Sequence, residues 1–306
     1  MDNLAHTLIG VGVARAGLSR RYGPGTTLTL AIASNLPDVD ALYAWWDGWD
    51  RFMLRRTHTH SLVTLPLLAA ALALAMRARY RHIPWKDLFG LSAVGLLLHD
   101  FFDLANAFGV VLLWPFTRAR FELASVFIVD PAIWLLMLAP LVAGRFVADG
   151  ARRDRVYLAA VGALALYVVL CVGARARAEV LAWDRYVGKR RGPSSLRVFP
   201  EPAGPHRFRA AARVGDEWEV QLCHLLGGRA EVAERVRTDA DLPRVREVRA
   251  SGHGRALEWF MAAPVWTLHP DGTVEARDLR FQSVTVRRRN PFVVTFPPGS
   301  VVPAER

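Results

Sequence analysis

Cysteine is nearly absent from this sequence, with only Cys171 and Cys223 in 306 residues. One lies in an apolar run and the other in the C-terminal third, so neither a disulfide framework nor a cysteine-ligated zinc site follows. Any metal would have to be held by histidine and carboxylate. A basic stretch interleaved with aromatics is also missing, although the formal net charge is +11. No nucleic-acid-binding module is readable, and no nucleic acid partner is expected. The N-terminus has no basic n-region, and no small-residue cleavage site follows its first apolar run, so that run is expected to be retained. No internal repeat is evident.

What the chain does have is apolar sequence. Hydrophobic residues make up 52% of it and the mean hydropathy is +0.18, more apolar than an ordinary soluble protein. The length suits about two domains. Six apolar runs cover Leu4–Leu18, Thr26–Leu36, Leu62–Met76, Leu88–Trp114, Val126–Val147 and Val156–Val172. They predict an α-helical multi-pass membrane bundle of about five to six apolar helices over residues 1–177, although the first run is short for a full crossing. An aromatic patch over residues 41–46 suits a membrane interface. Residues 178–196 read as a basic linker rich in Gly, Pro and Ser. Beyond it, residues 197–306 read as a small antiparallel β domain. Alternating Trp218–Leu222 and Thr273–Arg277, the turn signal Pro270-Asp271-Gly272, and short strands at Val284–Val286 and Phe292–Phe296 carry that reading.

The fourth run contains His99-Asp100-Phe101-Phe102-Asp103-Leu104-Ala105-Asn106. Ionisable groups at bilayer depth are costly and mark function by default. His99 and Asp103 are spaced i, i+4 and share a helix face, with Asn106 close to it. Asp100 is rotated away and is expected to face solvent or a partner. Asp38 and Asp40 flank a proline break at Pro37, and His58 and His60 precede the third run, where Thr59 or Ser61 is the expected N-cap. Histidine and aspartate without cysteine form a ligand set for zinc, manganese or a similar divalent ion, one or two per chain. Blander readings stand beside this one. His6 at a helix start suits a cap or an interface, Asp38 and Asp40 suit a turn, and Asp130 before Pro131 suits an N-cap.

If every run spans, the loops after runs one, three and five are richer in Lys/Arg and should face the cytoplasm. His6, Asp38, Asp40, His58, His60, Asp103 and Asp130 then fall together on the periplasmic side, as does the β domain. Few polar groups occupy the cytoplasmic halves, which disfavours a divalent-cation transporter. A membrane anchor with a structural metal is the other alternative.

Met1–Leu8 (MDNLAHTL), Asn35–Asp40 (NLPDVD), Thr59-His60-Ser61, His99-x-x-x-Asp103-x-x-Asn106-x-x-Gly109, Leu112–Phe116 (LLWPF) and Phe127–Pro131 (FIVDP) occur in this order. Together they resemble the YdjM-like family of bacterial inner-membrane metal-dependent hydrolases, over about residues 1–175. The resemblance implies a ligand set drawn from His6, Asp38, Asp40, His60, His99 and Asp103. Many members carry His-Arg shortly before Thr-His-Ser; here Arg55-Arg56 stand there, and His58 is offered as the substitute. The combined expectation is a metal-dependent hydrolase in the inner membrane, in contact with the lipid bilayer, acting on a phosphoester or other lipid-derived ester. His6, Asp38, His60, His99 and Asp103 are the expected ligands. Asp40 and His58 are the expected catalytic residues, and Asn35, Asn106 and Asp130 the orienting partners.

Overall fold

The computed structural model describes residues 1–42, 53–190, 192–202, 204–286 and 292–300. From Tyr43 onward, the interfacial aromatic patch lies outside the described residues. The chain divides into two compact units, Met1–Val172 and Gly173–Arg306.

The first unit is helical. Its elements are α1 (Asn3–Val13), α2 (Ser19–Tyr22), α3 (Thr26–Ala33), a 3-10 segment (Leu36–Leu42), α4 (Leu65–Arg79), α5 (Trp85–Ala105), α6 (Pro131–Ala143) and the start of α7 (Gly150–Asp184). The expected bundle of five to six spanning helices is not what forms. Among the described residues only α5 and α7 are long and apolar enough to cross a membrane. The reason is chain punctuation. After 11 residues α1 passes into a π segment, Ala14–Leu18, where Gly17 takes a positive φ of 123°. At 1.5 Å per residue its length is roughly 16 Å, about half of the ~30 Å hydrocarbon core. With 8, 15 and 13 residues, α3, α4 and α6 are also too short.

The fourth apolar run is likewise cut. It leaves the helix at Ala105, because Asn106 turns extended and its Oδ1 accepts the Phe108 N–H at 2.8 Å. Thr64, not Thr59 or Ser61, occupies the N-cap position of α4. The Ser61 hydroxyl instead donates to Trp114 O at 2.6 Å.

α5 is the central helix. It packs against both α3 and α4, while α1 packs against α3 and α6. Two glycines permit these approaches, because a Cβ at either would strike a neighbouring backbone or side chain. A Cβ at Gly10 would lie 2.6 Å from Ser34 Oγ and 2.8 Å from Leu30 O, and one at Gly95 would overlap Ala33 Cβ. Helices on two sides bury a wide arc of α5, and Asp100, expected at a solvent or partner face, is buried with them. Its Oδ1 has no hydrogen-bond partner. The apolar core lies around Ile9, Phe102, Ile133 and Met137 on one side and Ala69, Ala73, Leu88 and Leu96 on the other.

The second unit contains the expected antiparallel β structure. One sheet has the order β1-β2-β3-β4, from β1 (Ser195–Pro200), β2 (Arg207–Val214), β3 (Glu217–His224) and β4 (Arg229–Arg237). The other is β5-β6-β7, from β5 (Pro264–Leu268), β6 (Val274–Asp278) and β7 (Val293–Phe296), with α8 (Pro243–Ala250) and α9 (Gly252–Phe260) between the sheets in sequence. The 178–196 segment is less of a linker than its composition suggests. Residues 178–184 are the end of α7, and Ala178 and Ala182 pack with Val198, Phe208 and Cys223.

Val284–Val286 do not form the expected strand, because buried Glu201 captures their donors. Its carboxylate accepts Ser283 Oγ at 2.6 Å, Val284 N at 3.3 Å and Thr285 N at 3.0 Å, and pairs with buried Arg209. Burial alone would raise the Glu201 carboxyl, but Arg209 and these donors outweigh it and hold it below the usual value. A depressed carboxyl stabilises the fold above its unfolded pKa of about 4.3, and that stability is lost as pH falls through the lower folded value. Glu201→Gln strands Arg209, so it is expected to cost about 3–5 kcal/mol at pH 7. Chemical denaturation of the full chain at pH 7 and pH 3.5 checks this, and the gap between variant and wild type narrows at the lower pH.

Candidate metal centre

Three separate segments bring the site together. The 3-10 segment supplies Asp38 and Asp40, the approach to α4 supplies Arg55, Arg56, Thr59 and His60, and α5 supplies His99 and Asp103. Asp38, His60, His99 and Asp103 are all buried, and one ligand atom from each lies within 4.8 Å of all the others. Three of those atoms form a tight triangle. His60 Nε2 is 3.1 Å from His99 Nε2, and each is 3.3 Å from Asp103 Oδ2. Asp38 Oδ1 lies 4.0 Å from His60 Nε2.

The outward bonds set the tautomers. His99 Nδ1 is 2.8 Å from Ser34 O, a group that only accepts, so Nδ1 carries the proton. His60 Nδ1 is 3.0 Å from Thr59 Oγ1, and that hydroxyl donates to Asp40 Oδ2 at 3.1 Å. Both imidazoles thus turn an Nε2 lone pair inward, toward a carboxylate oxygen. A proton or a metal ion at the centre would satisfy such a convergence, in which Arg56 and the Met1 ammonium also pair with Asp103. Without a metal, the proton goes to His60. Burial would lower that imidazole, but Asp103 and Asp40 raise it to about 9.

The donor set fits a metal on two further counts. Asp103 Oδ2 is buried and has no aligned hydrogen-bond donor, although Arg56 Nε lies 2.8 Å away. Ligand bonds of about 2.0–2.1 Å at tetrahedral angles put ligand atoms roughly 3.3 Å apart, close to the observed triangle.

The other expected residues take different places. His6 stands outside the group of four. Its Nε2 is 3.2 Å from Asp103 Oδ1, and its ring stacks on His99 with centroids 3.9 Å apart. Burial, with His99 nearby, holds its imidazole well below the usual value, so a neutral His6 donates to Asp103 and orients it. Asp40, expected to be catalytic, sits behind His60. Its Oδ2 accepts the Arg56 N–H at 2.6 Å as well as Thr59, and Arg55 Nε lies 3.4 Å from its Oδ1. This carboxylate is fully buried and is bonded to the His60 ring through Thr59.

His58, the other expected catalytic residue, is not one of the four; its ring lies edge-on to Trp114, with centroids 4.8 Å apart. Asn106, expected to orient, donates to Asp103 Oδ1 at 3.3 Å and accepts from Arg56 Nη1 at 3.0 Å. Asn35 bonds Thr7 Oγ1 and Ala31 O, and its Oδ1 accepts from Asn3, whose amide also donates to Asp38 Oδ2 at 3.2 Å. Asp130 is the N-cap of α6, accepting from Ala132 N at 2.9 Å and Tyr167 OH at 2.7 Å.

Sequence reading treated Arg55 and Arg56 as loop charges and as a departure from a family pattern. In the structure they are the counter-ions of the site, with Arg55 Nη2 at 3.1 Å from Asp38 Oδ1 and Arg56 on Asp103. The available signal was a pair of arginines beside a histidine motif in a chain with buried aspartates.

These features define a helical protein with a buried two-histidine, two-aspartate centre that can hold a metal ion, carrying helices long enough to enter a bilayer. The family model described as YdjM inner membrane protein matches residues 1–178, and the chain belongs to that family. Neither the curated proteins nor the solved structures contain a match.

Proposed function

We propose that this chain is a membrane-bound, metal-dependent hydrolase of phosphoesters, with one divalent ion held by Asp38, His60, His99 and Asp103. The observation that carries the reading is the convergence of two buried imidazole Nε2 atoms and Asp103 Oδ2, at 3.1–3.3 Å from one another. Two nitrogens and two oxygens suit zinc or manganese. The chemistry such an ion supplies is polarisation of the phosphoryl oxygen and acidification of water to a pKa of about 7.

The chain's own residues do the rest. Thr59 and Asp40 fix the His60 ring, the Ser34 carbonyl fixes His99, and His6 and Asn106 fix Asp103. The Arg55 side chain keeps partial exposure beside Asp38, where a guanidinium can meet a phosphoryl oxygen. In the net reaction water adds to phosphorus, the ester P–O bond breaks, and the leaving alcohol takes up one of the water protons.

The periplasmic assignment rested on every apolar run spanning. With two long apolar helices among the described residues that premise is gone, and the site is proposed at the membrane surface without a side.

A structural ion is the second reading, favoured by the complete burial of His60, His99 and Asp103. Metal analysis combined with turnover of bis-p-nitrophenyl phosphate and of phosphatidic acid in mixed micelles separates the two. The hydrolase reading expects turnover to fall at least 100-fold on chelation and to return with zinc or manganese. Stoichiometric metal with no turnover of either substrate, and a thermal midpoint that drops on chelation, assigns the ion to structure.

A further inference from the structure

We propose that a groove beside Asp38 seats the hydrocarbon chain of a lipid phosphoester, placing its phosphate against the metal-binding cluster. This rests on the hydrolase reading and specifies its substrate class.

The groove has a volume of about 580 Å3 and runs along α3 and the 3-10 segment, within the ~300–1,000 Å3 range of small-molecule sites. Its polar wall is Asn3, Asn35 and Asp38, and its apolar wall includes Ile32, Leu36, Val39 and Leu42. Asp38 is the only member of the four-residue cluster among the groove's lining residues. It retains 7% exposure, whereas His60, His99 and Asp103 have none. The surface route to the cluster among the described residues therefore passes Asp38, and it is paved with hydrocarbon.

Val39 and Leu42 are 45% and 55% exposed. A water-soluble phosphoester gains nothing from such walls. An amphipathic one gains about fourfold in affinity for each methylene buried. Membership of an inner membrane family makes that ligand class available to the chain. Arg55 does not line the groove, but its Nη2 lies 3.1 Å from the lining residue Asp38, and a guanidinium so placed suits an anionic headgroup.

The test is photolabelling by phosphatidic acid carrying a diazirine in its acyl chain, using full-length protein in nanodiscs and peptide mapping. Label is expected to concentrate in residues 31–42. It is expected to fall by about tenfold in Val39→Asp, because a charge replaces apolar wall, and to persist in Leu67→Asp, an exposed apolar site on α4. Metal content reports whether Val39→Asp keeps the folded centre, and Leu42→Asp serves in its place if it does not. Label spread evenly over the exposed apolar helices, or unchanged in both groove variants, overturns the proposal. The hydrolase reading fails separately. Wild type that labels in residues 31–42 but turns over no phosphoester keeps the chain site and loses the reaction.

Discussion

His60→Ala and His99→Ala are expected to purify with less than about a tenth of the metal carried by the wild type, because each removes an inward nitrogen of the four-residue cluster. Plasma mass spectrometry on detergent-purified protein measures this directly. Asp40→Asn should behave differently. It leaves every ligand atom in place and weakens only the bond chain that holds His60 through Thr59, so affinity is expected to fall by about 10–100-fold while saturating metal still fills the site. That contrast tests the placement of Asp40 behind the histidine. If Asp40→Asn lost the metal as completely as His99→Ala, Asp40 would be a ligand itself. If His99→Ala kept stoichiometric metal, the centre would not exist.

Gly95→Ala is expected to disrupt the site from a distance. A Cβ there would overlap Ala33 and press on Leu30 O and Ser34 N at 3.2 and 3.3 Å. Both backbones resist, so α5 and α3 must separate, at a cost of about 1–3 kcal/mol or more. One turn further along α5, His99 then loses its bond to the Ser34 carbonyl, and metal occupancy falls with stability. Gly90→Ala is the control on the same helix. A Cβ at Gly90 meets nothing within 4 Å, so this change is expected to stabilise by about 0.5–1 kcal/mol and to leave the metal untouched. Thermal unfolding and metal content of the two variants check the pair. Equal behaviour would mean that the approach of α3 to α5 does not position His99.

The residues of the cluster were legible because their placement offends a simple rule. His99 and Asp103 stand four apart inside apolar sequence, where charge is costly without a purpose. The break at Pro37 between Asn35 and Asp40, and the histidines before the third run, pointed to the same chemistry. The β unit was legible too, through the alternation of Trp218–Leu222 and the turn at Asp271-Gly272. The roles within the site were not. Asp38 and Asp40 are two residues apart and chemically identical, yet one faces the cluster and a groove while the other supports His60. That division depends on the 3-10 turn that carries them and on where Thr59 and Arg56 come to rest.

Sequence by itself determined which residue types were available to hold an ion, since the apolar runs left few ionisable groups and the two cysteines were poorly placed. It also determined the family, because separated motifs occur in order. Only the tertiary structure decided how many helices are long enough to enter a bilayer. Hydropathy counts apolar residues, whereas helix length is set by local events such as the positive φ at Gly17 and the side-chain cap at Asn106. It also decided that His6 bonds Asp103 and that Arg55 and Arg56 pair with the aspartates. The physical reason is that the direction of a lone pair depends on what the other end of the ring is bonded to, and those partners come from segments far apart in the chain.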